Sequence, residues 1–129
     1  MDKDNNLIIY KSFTSAAGLK LDWKIECDNI SDSDIENYAK IIANRFNFKE
    51  VYGVPRGGLR LAEALKPYEN KEASLILIVD DVVTTGKSVK DFVDQLKPDG
   101  MWIGVAIFSR GQQTDRSQPY IMSIFEYSL

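Results

Sequence analysis

The sequence contains no histidine and only a single cysteine, Cys27. The absence of histidine excludes a Ser-His-Asp triad, a Cys-His pair, a histidine general base and every histidine metal site. A lone cysteine excludes an intrachain disulfide and a cysteine zinc cluster, which suits a reducing compartment. The commonest catalytic and metal-binding uses of histidine, and the disulfide and zinc-cluster uses of cysteine, are therefore excluded.

Long apolar runs and a strong excess of one charge are also missing. The apolar runs at 75–79 and 101–108 are too short to span a bilayer. Because the first six residues are polar, we expect no signal segment. The 16 basic and 19 acidic residues give a net charge of −3, which argues against a strongly basic nucleic-acid surface or a polybasic anchor. We expect a cytoplasmic protein that binds neither nucleic acid nor membrane.

What is present is an alternating α/β pattern in a chain of 129 residues, a length that predicts one domain. Residues 75–79 form a continuous apolar run, which is typical of a central strand covered on both faces. From residue 50 onward the order strand, helix, strand, helix, strand predicts parallel pairing. We predict strands at 7–10, 23–27, 50–53, 75–79, 102–108 and 120–125, and helices at 31–46 and 59–66. A third helix follows the strand at 75–79 and its loop, and extends to 96. The loop-like segments include 12–18, and Ser33 with Glu36 has the spacing of a capping box.

The strongest motif follows the central strand and runs from Asp80 to Ser88. Two adjacent carboxylates are followed by a loop rich in hydroxyls and glycine, and then by a helix. Backbone N–H groups, hydroxyls and the positive end of a helix dipole together make a phosphate cradle. The carboxylates would repel the phosphate, so they suit sugar hydroxyls or a cation. A capped strand-to-helix turn is the simpler alternative.

A second glycine-rich loop, Gly53-Val54-Pro55-Arg56-Gly57-Gly58, also joins a strand to a helix. Its glycine pair lets the backbone approach a ligand closely, and Arg56 and Arg60 offer cationic forks suited to phosphate oxygens. A tight turn with solvated arginines is the alternative here. Because ligands bind beyond the carboxyl ends of parallel strands, the two loops together predict a ligand with phosphate at both ends.

Three other interpretations are disfavoured by the residues. A Walker A loop needs a glycine five positions before Gly86, where Asp81 stands, and no G-x-G-x-x-G run occurs. A phosphoacceptor domain using Asp80 or Asp81 would leave the Thr-Thr-Gly-x-Ser loop without a role.

Residues 79–88 resemble the phosphoribosyl-pyrophosphate (PRPP) signature of type I phosphoribosyltransferases, and residues 53–58 resemble the pyrophosphate loop of that family. Within the family the sequence is most similar to orotate phosphoribosyltransferases. Phe13-Thr14, Gly18, Lys20 and Trp23 follow the spacing of their hood segment, and Phe108-Ser109-Arg110 falls where they have a strand ending in Asp-Arg. The resemblance implies a three-layer parallel-sheet fold of reduced size, with a hood at 1–30 and a core at 31–129.

The resemblance also implies a role for each part of the two motifs. Asp80, Asp81 and Arg56 would be the catalytic residues, and Mg²⁺ would be held indirectly by Asp80 and Asp81 through ribose and water. Base binding would fall to Trp23, Lys24 and Arg110. The 5′-phosphate would be held by Val82, Val83, Thr84, Thr85, Gly86, Lys87 and Ser88. Pyrophosphate would be held by Val54, Pro55, Arg56, Gly57 and Gly58, with a strained peptide near Pro55–Arg56.

The activity that the resemblance implies is transfer of the ribose 5-phosphate of PRPP to a base, with release of pyrophosphate. Orotate is the first candidate base. The resemblance is also compatible with a homodimer. Such chemistry needs positioning and electrostatic stabilisation, which a chain without histidine can supply. Family members have a long mobile loop between the two motifs, where this chain has only residues 59–74, with Lys66 or Lys71 as candidates to reach pyrophosphate. Ala16 and Ser109 replace a hood lysine and the strand-end aspartate. A binding module that captures PRPP or a nucleotide without turnover is therefore the alternative.

Overall fold

The computed structural model describes residues 8–14, 20–25, 29–110 and 121–127. An antiparallel hairpin of β1 (Ile8–Thr14) and β2 (Lys20–Ile25) comes first in the chain. In chain order the remaining described elements are α1 (Asp32–Arg45), β3 (Glu50–Gly53), α2 (Leu59–Leu65), a 3₁₀ turn (Lys66–Tyr68), β4 (Ile76–Val83), α3 (Lys87–Leu96), β5 (Trp102–Arg110) and β6 (Ile121–Tyr127). They alternate between helices and strands up to β5, which is followed by a further strand.

The core of the molecule is a four-stranded sheet with the order β3-β4-β5-β6, in which every neighbouring pair is parallel. Residues of α1 and α2 pack on one face with Leu77 and Val79 of β4. Residues of α3 pack on the other face with Ile76 and Ile78. The central strand is thus covered on both sides, as its continuous apolar run predicted. The prediction of a three-layer α/β fold is confirmed.

Several predicted boundaries were wrong because polar residues continue the strands. β4 does not end before the acidic pair: Asp80 pairs with Ala106, and Val82 pairs with Phe108 of β5. Likewise β5 extends to Arg110, and β1 includes Thr14, which pairs with Lys20, in a segment predicted to be a loop. The hydrogen bonds of a parallel ladder are made by the backbone, so strand pairing does not stop where the side chains become polar.

The start of α1 also differs from the prediction. Ser31, and not Ser33, is the N-cap, and its Oγ accepts a hydrogen bond of 3.1 Å from the Asp34 N–H. Ile30 and Ile35, which flank this cap, are both buried in the same apolar cluster. An apolar contact between the residues before the cap and after the first turn fixes where the chain enters a helix. Burial of Ile30 therefore selects Ser31 as the cap.

The link between α2 and β4 lies at the amino edge of the sheet. The Asn70 N–H donates to the Phe48 carbonyl at 2.8 Å, and the Lys49 N–H donates to the Leu75 carbonyl at 2.7 Å. Residues 48 and 49 precede β3. These hydrogen bonds therefore hold the link at the end of the sheet opposite to the two glycine-rich loops. The expectation that Lys66 or Lys71 reaches those loops was wrong. No described helix is both long and apolar enough to cross a membrane.

Candidate functional site

The two glycine-rich loops meet at the carboxyl edge of the sheet. A Cβ atom at Gly57, in the loop after β3, would overlap the carboxylate of Asp81 on β4. A Cβ atom at Gly58 would overlap the Val79 carbonyl oxygen and lie 2.7 Å from the Val54 nitrogen. Both positions therefore require glycine for close packing rather than for a special φ angle. The two motifs therefore lie against each other, as the sequence predicted.

Backbone hydrogen bonds hold the first loop against β4. The Val54 N–H donates to the Val79 carbonyl at 2.8 Å, and the Gly58 N–H donates to the Val54 carbonyl at 2.8 Å. Val54 is buried, whereas Pro55 and Arg56 are exposed at the tip of the loop. The peptide bond between Pro55 and Arg56, where the resemblance predicted a strained peptide, is cis. The loop thus has a fixed base and presents Arg56 to solvent.

Arg60 does not belong to this loop surface, contrary to the sequence prediction. Its Nη2 donates to the Ile30 carbonyl at 2.8 Å and to Asp32 Oδ1 at 2.9 Å. Arg60 lies in the first turn of α2, which packs beside α1, and there it satisfies a carbonyl that precedes α1. The guanidinium therefore joins two helices instead of forming a fork with Arg56.

This difference between the two arginines predicts different effects on stability. Arg60→Gln should lower the free energy of unfolding by about 1 kcal/mol, because it removes both hydrogen bonds. Arg56→Gln, the matched control at an exposed loop tip, should change it by less than about 0.5 kcal/mol. Urea unfolding of both variants tests the assignment, and equal losses would contradict it.

The acidic pair at the end of β4 has two different environments. Asp80 is buried with 7% of its surface exposed, whereas Asp81 is half-buried. Asp80 Oδ1 accepts a hydrogen bond of 2.8 Å from the Asp81 N–H, and Asp81 Oδ1 accepts one of 2.7 Å from the Val82 N–H. Burial, followed by the negative charge of Asp81, raises the pKa of Asp80 to about 8. Hydroxyl donors or a cation beside the pair would favour its ionised form.

The segment after β4 surrounds a cavity of about 260 Å³. Gly86 has a φ angle of +86°, in the left-handed region that favours glycine, and it begins α3. Thr85 Oγ1 accepts a hydrogen bond of 3.3 Å from the Lys87 N–H. A helix N-terminus and hydroxyls around a cavity form a setting suited to an anion. The cavity is lined by Asp80, Val82, Val83, Thr84, Thr85, Gly86, Lys87, Ser88 and Asp91.

Asp91 is the one lining residue that the motif from Asp80 to Ser88 does not include. It lies on α3, where its Oδ2 atom is 2.7 Å from the Nζ of Lys87. The pair has the i,i+4 spacing of neighbours on one helix face, and that spacing was the signal available in the sequence. The cavity therefore contains one carboxylate that the phosphate-cradle motif does not explain.

The residues predicted to bind a base are only partly described. Arg110 ends β5 and is buried, with 8% of its surface exposed. Trp23 and Lys24 lie on β2, where they pair with Tyr10 and Ile9. The hood positions Ala16 and Gly18 lie outside the described residues. A base-binding role for Trp23, Lys24 and Arg110 stays a prediction.

No protein-family model matches the sequence, and no curated protein matches it. Solved structures do. Orotate phosphoribosyltransferase from Aeropyrum pernix is 19% identical, with a TM-score of 0.71 over 93% of this chain and 88% of that chain. The Mycobacterium tuberculosis orotate enzyme in complex with PRPP is 13% identical, with a TM-score of 0.66 over 95% and 90% of the two chains.

Adenine phosphoribosyltransferase from Leishmania donovani is also similar, at 11% identity and a TM-score of 0.65 over 91% of this chain and 76% of that chain. Identities this low show the fold alone. The chain therefore has the fold of type I phosphoribosyltransferases, and the resemblance predicted from the two motifs is confirmed at that level.

Proposed function

We propose that this protein is a phosphoribosyltransferase that transfers the ribose 5-phosphate of PRPP to a nitrogenous base and releases pyrophosphate. The observation that carries the proposal is the contact of Gly57 with the Asp81 carboxylate. It joins a glycine-rich loop with an exposed arginine to an acidic pair, of which Asp80 lines the anion-receptive cavity. A sugar with phosphate at both ends has the chemistry that such a site accepts.

Each part of PRPP has a matching group in this arrangement. Residues 84–88 would hold the 5′-phosphate, and Val82 and Val83 would form the wall of the cavity as the end of β4. Residues 54–58 would hold pyrophosphate, with Arg56 facing its charge. Asp80 and Asp81, between the two loops, would accept hydrogen bonds from the ribose 2′- and 3′-hydroxyls. Those hydroxyls would offset the burial that disfavours ionised Asp80.

The residues present fit Mg²⁺ as an indirectly held ion. Asp80 and Asp81 supply the oxygen ligands that this ion prefers, and the described residues contain no group of three side chains able to hold a metal. The proposal is therefore that the two carboxylates support Mg²⁺ through water and substrate oxygens. When bound, the ion would supply positive charge to the departing pyrophosphate.

The chain's own residues would contribute positioning and charge. Pyrophosphate leaves C1′ of the ribose, positive charge develops on the ring, and a nitrogen of the base attacks. The carboxylates would stabilise the ring charge, and Arg56 would stabilise the leaving group. The two loops would fix both ends of the sugar, so that C1′ is presented to the base in one orientation.

Orotate is the first candidate base, on the resemblance to orotate enzymes, and a homodimer is the assembly we propose. Trp23, Lys24 and Arg110 would lie around the base. Similarity to an adenine enzyme as well as to orotate enzymes makes a base panel necessary. Incubation with PRPP, Mg²⁺ and each of orotate, uracil, adenine, guanine, hypoxanthine and nicotinamide should release pyrophosphate with at least one base, and Asp81→Asn should abolish that release.

One observation favours a second candidate, a module that binds PRPP or a nucleotide without turnover. The link that follows α2 is held at the amino edge of the sheet, so it does not cover the site. An uncovered site would expose the reacting ribose to water. Calorimetric binding of PRPP with no pyrophosphate released from any base would select this module. Absence of both binding and release would contradict both candidates.

A further inference from the structure

The carboxylate of Asp91 lines the same cavity as the hydroxyls and N–H groups of residues 84–88. A carboxylate beside an anion site repels the anion, so its presence there opposes binding. In the structure, however, Asp91 forms an ion pair with Lys87, since Nζ and Oδ2 are 2.7 Å apart. The ammonium group of Lys87, which lines the cavity, is thus held by a carboxylate of the chain itself.

The ion pair between Lys87 and Asp91 is easily exchanged. The side chains are 73% and 54% exposed, and they lie one turn apart on α3. Exposed pairs of this kind contribute little to stability because water and salt screen them. A phosphate group carries more charge than a carboxylate and can accept several hydrogen bonds. Lys87 can therefore leave Asp91 for a phosphate in the cavity at small cost to the fold.

We propose that Asp91 is a positioning residue that competes with the 5′-phosphate of the ligand for Lys87. This inference rests on the proposed function, because it takes the cavity as the site of that phosphate. Before the phosphate binds, Asp91 holds the ammonium group at the helix surface. In the complex Lys87 turns to the phosphate, and Asp91 remains nearby as a negative charge that limits affinity and favours release of the phosphorylated product.

The proposal predicts a gain of affinity when a charged residue is removed. Asp91→Asn should tighten PRPP binding by about three- to tenfold, because Lys87 loses its competitor and the cavity loses a negative charge. Lys87→Met should weaken binding. In the Lys87→Met background, Asp91→Asn should gain clearly less than in the original chain. Calorimetric titration of PRPP in Mg²⁺ buffer measures all four affinities.

Two further variants separate this role from a structural one. Asp94→Asn removes the same charge from α3 at an exposed position outside the cavity, and it should leave PRPP affinity unchanged. Asp91→Glu keeps a carboxylate within reach of Lys87, so its affinity for PRPP should be close to that of the original chain. Unchanged or weaker binding by Asp91→Asn, or an equal gain in the presence and absence of Lys87, would overturn the proposal.

A second ligand distinguishes failure of this inference from failure of the proposed function. Inorganic phosphate should raise the melting temperature of the original chain increasingly with its concentration, because it binds the folded state, and Asp91→Asn should lower the concentration needed for the same rise. If phosphate behaves in this way but PRPP does not bind, the proposed function is wrong and the role of Asp91 stands. If PRPP binds with equal affinity to the original chain and Asp91→Asn, the PRPP site that the proposed function requires stands and the role of Asp91 is wrong. If neither ligand binds, both are wrong.

Discussion

Replacing Gly57 by alanine should weaken PRPP binding at least about tenfold, equivalent to about 1.4 kcal/mol. The added methyl group would overlap the carboxylate of Asp81, so either the loop or the carboxylate must move. Either movement separates the groups proposed to hold pyrophosphate and the ribose hydroxyls. Because Gly57 is exposed, the chain should still fold. Calorimetry with PRPP, alongside a thermal melt, measures both quantities.

Gly104→Ala is the matched control for this substitution. Its Cβ atom would lie 2.9 Å from Cγ1 of Ile121, a side-chain atom that can shift, on the part of β5 away from the loops. We expect a modest loss of stability and unchanged PRPP affinity. If Gly57→Ala binds PRPP as tightly as Gly104→Ala does, the contact between loop and carboxylate is not part of the binding site.

Asp80→Asn should make the ligand-free protein more stable at high pH while removing phosphoribosyl transfer. In the folded protein burial and Asp81 raise the pKa of Asp80 from 3.8 to about 8. The native state therefore binds this proton more tightly than the unfolded state. The resulting stability is fully present below about pH 4 and is lost as pH rises through about 8. Asparagine is neutral throughout and keeps the acceptor for the Asp81 N–H.

We therefore expect Asp80→Asn to raise the free energy of unfolding by up to about 5 kcal/mol at pH 8 and by less than about 1 kcal/mol at pH 4. Denaturant unfolding at the two pH values measures this difference. Asp94→Asn, at an exposed position on α3, should change the free energy by less than about 0.5 kcal/mol at both pH values. A gain by Asp80→Asn that does not grow between pH 4 and pH 8 would contradict the assigned environment of Asp80.

Much of the fold could be predicted because it depends on local patterns. The continuous apolar run of β4 required cover on both faces, and α1, α2 and α3 supply it. The order of strands and helices required parallel pairing, and the sheet has it. The two loops met at one edge because the carboxyl ends of parallel strands lie together.

The features that the sequence could not supply depend on contacts between distant segments. Arg60 has a side chain suited to binding phosphate, yet the packing of α1 beside α2 lets it donate to the Ile30 carbonyl instead. Ser31 and Ser33 are equivalent as caps until burial of Ile30 selects one of them. Each outcome is set by tertiary packing that overrides a local preference.

The central claim is that residues 54–58 and residues 84–88 bind opposite ends of one ligand, and amide NMR of the labelled protein tests it most directly. In Mg²⁺ buffer, pyrophosphate alone should shift the amide signals of Gly57 and Gly58, and ribose 5-phosphate alone should shift those of Thr85 and Gly86. PRPP should shift both sets together, with one binding constant. Shifts of only one set by PRPP, or of the two sets with different binding constants, would contradict the claim.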